Sequence, residues 1–252
     1  MENKRCVSVI TPAYRCAGTI RAAIDSALQQ AEVLEILVIN DCSPDSLDEV
    51  MQEYQTEERV RYLKNEKNLG AAGSRNRGMQ QARGKYIAFL DADDWWEEGK
   101  LQKQLALLVF TGAKLSCTAR ELVTPEGELT GRVIPVSERI SYRAILRHNQ
   151  INCSSVVAER EAALEFPMCH EDAHEDYIMW MRFLKKYGYA CGVNEPLLKY
   201  RLTATGKSGS KLHSAKMTYR SYRYAGFGRL RSGVYFLSYA LHGVAKYAKS
   251  ML

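Results

Sequence analysis

The chain has 252 residues, 46% of them hydrophobic and 25% charged, with a formal net charge of +6; that is enough for one α/β domain, alone or with an appendage, and for a sizeable core. Its seven cysteines are odd in number and include no C-x-x-C pair, which argues against a disulfide framework or a zinc site and for a reducing compartment. The start has no apolar run long enough for a signal peptide, and no stretch reaches about 18 uninterrupted apolar residues, so a cytoplasmic protein without a spanning helix is expected.

Residues 6–11 (C-V-S-V-I-T) read as a first strand that Pro12, lacking a donor, brings to an end. Over 19–30, Ile20, Ala23, Ile24, Ala27 and Leu28 share one helical face. A second strand at 34–40 (L-E-I-L-V-I-N) runs straight into Asp41-Cys42-Ser43-Pro44-Asp45, where Ser43 or Asp45 is expected to cap a helix through Val50 and Tyr54. A short strand at 60–63, a turn at 65–70, a helix at 71–82 and a strand at 86–90 follow. Four strands alternating with three helices predict a mostly parallel α/β sheet covered on both faces.

After a helix at 98–110 the alternation breaks. Strands are expected at 113–122 and 128–135, a short helix capped by Ser141, and another strand at 153–158. The acidic group H-E-D-A-H-E-D opens a helix to Lys186, and strands at 189–193 and 197–202 close the core. Residues 203–210 (T-A-T-G-K-S-G-S) read as a mobile loop with Lys207 at its centre. Of the 35 basic residues 11 lie after Glu195, whereas none of the 29 acidic ones do. The first 195 residues thus carry −5 and the tail +11, which points to an anionic partner. The tail interleaves its basic residues with Tyr and Phe. Such a segment suits nucleic acid, a membrane interface, or packing on the body or a second subunit. The long apolar reach of 234–252 favours a surface-lying helix over an RNA stripe.

The strand at 86–90 ends on Asp91, Asp93 and Asp94. Like charges crowded at the end of a buried strand repel one another unless a cation or donor groups face them. The bland reading makes Asp94 a helix cap and the others a solvated turn; the sharper one makes them a site for Mg²⁺ or Mn²⁺ that holds substrate phosphates. Neither G-x-G-x-x-G nor G-x-x-x-x-G-K-[ST] occurs, so phosphate must be handled without those loops. In a parallel sheet, ligands bind beyond the carboxyl ends of the strands. That edge gathers Pro12-Ala13-Tyr14, Asn40-Asp41, Asn68-Leu69-Gly70 and Asp91-Ala92-Asp93.

The blocks V-S-V-I-T-P-A-Y, I-L-V-I-N-D-C-S-P-D, N-L-G-A-A-G-S-R-N-R-G, the strand ending D-A-D-D, and a later E-D before an aromatic helix resemble family 2 glycosyltransferases, in the family's order. The resemblance covers about 7–201, and within the family it leans towards enzymes of bacterial cell-envelope polysaccharides such as teichuronic acid or capsule. It implies a GT-A fold over 1–203, with a nucleotide-sugar half to 96, an acceptor half beyond it, and a basic helical tail at 204–252. It also implies an inverting, metal-dependent transfer from a nucleotide sugar, a UDP-sugar in the first instance, to a glycan or lipid-linked acceptor; the tail's composition adds an anionic membrane surface as a partner and no nucleic acid. Pro12 and Tyr14 would lie at the donor base, and Asp41 would accept from it. Arg75 would line the nucleotide side, Asp91 and Asp93 would hold Mn²⁺ or Mg²⁺, and Asp176 would be the catalytic base.

Alternatives remain at several positions. Tyr14 would otherwise pack under the first helix and Arg75 lie on a helix surface, while Glu171-Asp172 competes with Glu175-Asp176. Arg15 and Asn40 stand where family members often have asparagine and aspartate. His170 and His174 flank the acidic pairs without matching a zinc spacing. The rival functions are a sugar nucleotidyltransferase, which would need a Gly-rich, Arg-containing loop after the first strand, and a non-catalytic binding module.

Overall fold

A computed structural model describes residues 5–202 and 211–249 of the chain; the 203–210 segment lies outside them. In the first half β1 (Val7–Ala13), α1 (Ile20–Leu28), β2 (Val33–Asn40), α2 (Leu47–Gln52), β3 (Val60–Lys64), α3 (Gly70–Gln81) and β4 (Tyr86–Phe89) alternate as expected. β1 lies between β2 and β4, with β3 outside β2, and all three ladders are parallel.

β1 runs past Pro12, because the ladder to β4 stops at Ile10↔Phe89 while the ladder to β2 continues to Ala13↔Asn40. Ile10 O accepts from Leu90 N–H on the β4 side and Ala13 O from Asp41 N–H on the β2 side. With a period of two, Pro12 turns its donor-less edge to the side where pairing has already ended. The N-cap position of α2 is Ser46, without a side-chain cap bond. Ser43 Oγ accepts from Arg15 N–H at 2.6 Å, and Asp45 Oδ2 from Ala17 N–H at 2.8 Å, while the Asp45 carboxylate also meets the backbone of Leu47. The two polar side chains thus tie the loop after β2 to the loop after β1, and Asp45 serves the start of α2 as well.

The second half contains β5 (Trp95–Trp96), α4 (Lys100–Thr111), β6 (Leu115–Val123), β7 (Leu129–Ile134), β8 (Arg139–Ser141), α5 (Tyr142–Arg147), β9 (Val157–Glu159), α6 (Arg160–Leu164), α7 (Glu175–Tyr187) and β10 (Tyr189–Arg201). Ser141 Oγ caps α5 by accepting from Ala144 N–H at 3.2 Å. The strand expected at 153–158 opens instead as a 3-10 turn, Cys153–Ser155. The two strands expected at 189–202 form one, with a register shift between Val193 and Leu198.

Among the described residues the strands join in one sheet of order β3-β2-β1-β4-β9-β6-β10-β5, with β7 on β6 and β8 on β10. It is parallel from β3 to β4 and mixed beyond, where β9 joins β4 to β6 antiparallel to both. Helix α3 lies so close to β1 that a Cβ at Gly78 would sit 2.4 Å from Ile10 Cγ2.

The tail forms α8 (Lys211–Tyr224) and α9 (Arg229–Lys249). Tyr222 is fully buried, and its hydroxyl meets Leu146 O at 2.8 Å and the Tyr177 hydroxyl at 2.9 Å. Tyr235, Phe236 and Tyr239 of α9 pack against the same core, so this helix pair belongs to the folded body.

Candidate active site

Asp91 lies two residues past the end of β4, and its carboxylate receives Arg75 Nη2 at 2.6 Å. Through Nη1 the same guanidinium reaches Glu175 at 3.2 Å, at the start of α7. Arg75 sits in the second turn of α3, 6% exposed, so the helix-surface alternative does not hold. Burial alone would lower its pKa; Asp91, the largest opposing influence, and Glu175 hold it well above the ordinary arginine value. One buried cation thus joins the end of the fourth strand to the second acidic cluster.

Asp93, half-buried, is pushed up to about 6, by burial first and the neighbouring Asp91 carboxylate second. Asp94 is buried and raised well above the carboxylate range, again by burial first and then by Asp93 and Asp91. Its Oδ1 accepts from Arg201 N–H at 2.9 Å, while Oδ2 is buried without a partner. Asp94 is therefore no helix cap: α4 starts at Lys100, and Asp94 anchors the end of β10. Arg201 also donates Nε to Asp93 O at 2.9 Å and Nη1 to Pro125 O at 2.7 Å. The donor set at Asp91 and Asp93 fits a hard divalent cation. It offers carboxylate oxygens, and the raised pKa of Asp93 records an anionic crowding that a cation would relieve. Among the described residues no three His, Cys, Asp or Glu side chains gather as a ready-made metal cage.

The acidic groups before and in α7 have separate duties. Glu171 Oε1 accepts from Ala72 N–H at 2.8 Å, in the first turn of α3. A Cβ at Gly70, where φ is +72°, would collide with that carboxylate at 2.6 Å. Asp172 accepts from the Tyr224 hydroxyl at 2.9 Å and pairs with Arg220 at 3.1 Å. Glu175 holds Arg75. Asp176, half-buried, accepts from Tyr177 N–H at 2.7 Å; its pKa is raised by burial first and Glu175 second, against His174 and Arg75.

On the other side Tyr14 is 45% exposed beyond β1, with the Arg15 guanidinium 5.4 Å over its ring, so it is not packed under α1. Pro12 is half-buried at the same edge. Asp41 is buried, and its Oδ1 accepts from Asn65 Nδ2 and Leu69 N–H, each at 2.7 Å. Asn40 works structurally: Oδ1 accepts from Ser43 N–H at 2.7 Å and Nδ2 donates to the Tyr62 hydroxyl at 2.6 Å. His170 stacks on Tyr224 at 3.7 Å, and His174 N–H donates to Ser221 Oγ at 3.1 Å.

The sequence reading missed Glu175 as the partner of Arg75, and Arg201, whose only signal was its place at a strand end. Ser154 was missed too; its Oγ accepts from Asp91 N–H at 3.2 Å.

Comparison with known proteins identifies the family. The family model for glycosyl transferase family 2 matches residues 8–165. TuaG of Bacillus subtilis (strain 168), a glycosyltransferase assigned provisionally to teichuronic acid biosynthesis, is 35% identical over 87% of this chain and 88% of its own. WfgD of Escherichia coli, a UDP-Glc:α-D-GlcNAc-diphosphoundecaprenol β-1,3-glucosyltransferase, is 31% identical over 96% and 95%. Among solved structures, S. aureus TarS 1–349 with UDP-GlcNAc matches at a TM-score of 0.70, 17% identity, and 92% of this chain against 70% of that one. The mannosyltransferase PcManGT from Pyrobaculum calidifontis, in complex with GDP-Man and Mn²⁺, matches at 0.70, 14% identity, and 93% against 69%. With a GT-A fold and this family match, the chain belongs to glycosyl transferase family 2 and is a glycosyltransferase.

Proposed function

We propose that the protein moves a sugar, with inversion, from a nucleoside diphosphate (UDP in the first instance) to a hydroxyl of a lipid-linked or glycan acceptor in cell-envelope polysaccharide synthesis. The observation that carries this is the Arg75 bridge, which sets the carboxylates after β4 beside the acidic start of α7. The named activities of TuaG and WfgD, and the UDP-GlcNAc bound by TarS, support the substrate class.

Tyr14 and Pro12 offer the base an open aromatic edge, and Asp41 stiffens the turn beneath it. Asp91 and Asp93 would hold Mn²⁺ or Mg²⁺, which when bound neutralises charge on the departing diphosphate. PcManGT with Mn²⁺ supports a divalent ion. Arg75 supplies fixed positive charge to Asp91, so Asp93 is left as the carboxylate with most to gain from a cation. Asp176 is the general base for the acceptor hydroxyl. Its raised pKa makes the carboxylate more basic than a free aspartate, which suits proton removal during attack. Glu171, Asp172 and Glu175 already hold other partners, which favours Asp176 for this role.

The test is nucleoside diphosphate release from a panel of UDP- and GDP-sugars, with Mn²⁺ or with EDTA, with and without lipid-linked saccharide acceptors. One donor should be turned over, in a metal-dependent way, and faster with acceptor. Tight UDP binding with no turnover of any donor would instead leave a sugar-nucleotide-binding module.

A further inference from the structure

Four apolar side chains of α9 point into solvent: Leu230, Val234, Leu237 and Leu241, at 84%, 59%, 62% and 71% exposure. At about 100° per residue their positions fall within about 60° of one another on the helix. Tyr235, Phe236 and Tyr239, packed on the core, and the buried Ser232 occupy the opposite side. The outward stripe is therefore separate from the face that folds the helix onto the body. Phe236 faces inward and meets Tyr219 edge-on at 6.4 Å. Single exposed leucines need no explanation, but four in one stripe make a patch on the order of a few hundred Å², the size at which patches on monomers are functional.

The stripe is framed by positive charge. Arg229 and Arg231, both exposed, lie on either side of it, and the exposed Arg223 precedes the α8–α9 turn. A cavity of about 600 Å³ at that turn adds Arg182 and Lys185 beside Tyr224, while the Lys186 that also lines it is paired with Glu165. No acidic residue follows Glu195 in the chain.

We propose that this face of α9 docks on an anionic lipid surface, the stripe entering the acyl boundary and the flanking arginines meeting headgroup phosphates. Charge decides between the occupants. A second copy docked on the same patch would set Arg229 and Arg231 against their own kind, with no carboxylate on either helix to answer them. A nucleic acid would satisfy the arginines but leave the leucines without an apolar partner. Among the described residues no helix is long and apolar enough to cross a membrane, so the attachment is to the surface. Helix α8, which packs beside α9, reaches the acidic start of α7: Tyr224 holds Asp172, and Ser221 holds the backbone of His174, two residues before Asp176. The proposal rests on the transferase reading only for its usefulness, since a lipid-borne acceptor would meet Asp176 at the interface.

The test is sedimentation of the full chain with phosphatidylcholine vesicles, alone or containing phosphatidylglycerol, with no nucleotide sugar present. The wild type should sediment with the anionic vesicles only, and salt should release part of it. The quadruple variant Leu230→Ser/Val234→Ser/Leu237→Ser/Leu241→Ser and the pair Arg229→Glu/Arg231→Glu should each bind at least tenfold more weakly. Both should keep the wild-type melting temperature, because the substituted side chains are exposed. Wild-type binding by the quadruple variant would overturn the proposal, as would no vesicle binding at all. So would a wild-type dimer that the quadruple variant turns into a monomer, which would assign the face to a second copy. Because vesicle binding is read without donor, its failure is separate from a failure of the transferase reading.

Discussion

Arg201 donates its backbone N–H to Asp94 Oδ1 and its Nε to the carbonyl oxygen of Asp93, both at 2.9 Å. The last residue of β10 thus grips two consecutive residues of the turn after β4, although the two lie more than a hundred positions apart in the chain. Its guanidinium also reaches Pro125 O and stands 5.3 Å over the Trp95 ring. Arg201→Ala removes the grip on Asp93 but keeps the backbone bond to Asp94. Misplacing a reacting group by about 1 Å costs about 10²-fold in rate, and a lost hydrogen bond about 1 kcal/mol of stability. Turnover should therefore fall 10–100-fold, in rough proportion to that misplacement, while the melting transition moves little. Unchanged turnover in steady-state kinetics would show that the turn holds its geometry without this residue.

Asp93 and Asp94 should respond oppositely to replacement by Asn. The folded pKa of Asp93, about 6, lies above the ordinary carboxylate value, so the folded chain binds the proton more tightly than the unfolded one. Without divalent cation, stability then declines as pH rises from about 4 to about 6 and stays reduced above that. Asp93→Asn removes this penalty, which at the stated shift is at most about 3 kcal/mol. It should raise the melting temperature at neutral pH while costing turnover orders of magnitude. Asp94 is raised by burial first, and an amide keeps an oxygen for the Arg201 N–H without placing a charge in that buried site, so Asp94→Asn should leave both quantities close to wild type. Melting curves at pH 4 to 8 with EDTA, set beside Mn²⁺-dependent rates, check both halves.

The acidic residues around the start of α7 make a graded series. Asp176→Asn should abolish transfer while UDP still binds, as measured by titration calorimetry. Asp172→Asn should loosen the contact with α8 and leave the rate within severalfold. Glu175→Gln should be intermediate: it keeps an acceptor for Arg75 but takes one charge from a buried pair, whose disruption costs about 3–5 kcal/mol when a partner is lost outright. If Asp172→Asn proved the most damaging to rate, the base would be assigned to the wrong residue.

At Gly78 the close approach of α3 to β1 leaves no room for a methyl group. Gly78→Ala should destabilise by about 1–3 kcal/mol through overpacking. It should also lower turnover, since the displaced helix carries Arg75. Ile10→Ala by itself should cost about 2–5 kcal/mol, and the two changes together should cost less than their sum in denaturant unfolding, a non-additivity expected of residues in contact.

The strand ends were legible because each is a buried apolar run cut off by a polar group, and such runs show their period directly. Pro12 misled as a strand end: its edge faces a side where pairing has already stopped, which is a property of the neighbours. The resemblance favoured Asp176, but nothing local in the sequence told the two acidic pairs apart. Glu171 is committed to α3 and Asp172 to α8, and both commitments are set by parts of the chain far away. Arg75 read equally well as a surface residue, because the α3 segment G-A-A-G-S-R-N-R-G lacks a strong apolar stripe to mark its inner side. β5 and β8, two and three residues long, are too short to carry a period. The family's ordered blocks implied roles for Arg75, Asp93 and Asp176, but not the Arg75 bridge from Asp91 to Glu175 or the Arg201 bond to Asp93 O.

The bond from Ala72 N–H to Glu171 spans 99 positions, and the Arg75–Glu175 pair spans 100. Together with β9 lying between β4 and β6, these contacts stitch the two halves of the chain so closely that neither is a free module. A hybrid made by joining residues 1–96 of this protein to the remainder of a relative would inherit a helix whose first turn expects a glutamate from the other parent, and a buried guanidinium waiting for that parent's acid. Recombination among such enzymes should therefore succeed only between parents that keep the same Gly70–Glu171 and Arg75–Glu175 pairs. The two halves of this chain are then inherited as a linked set.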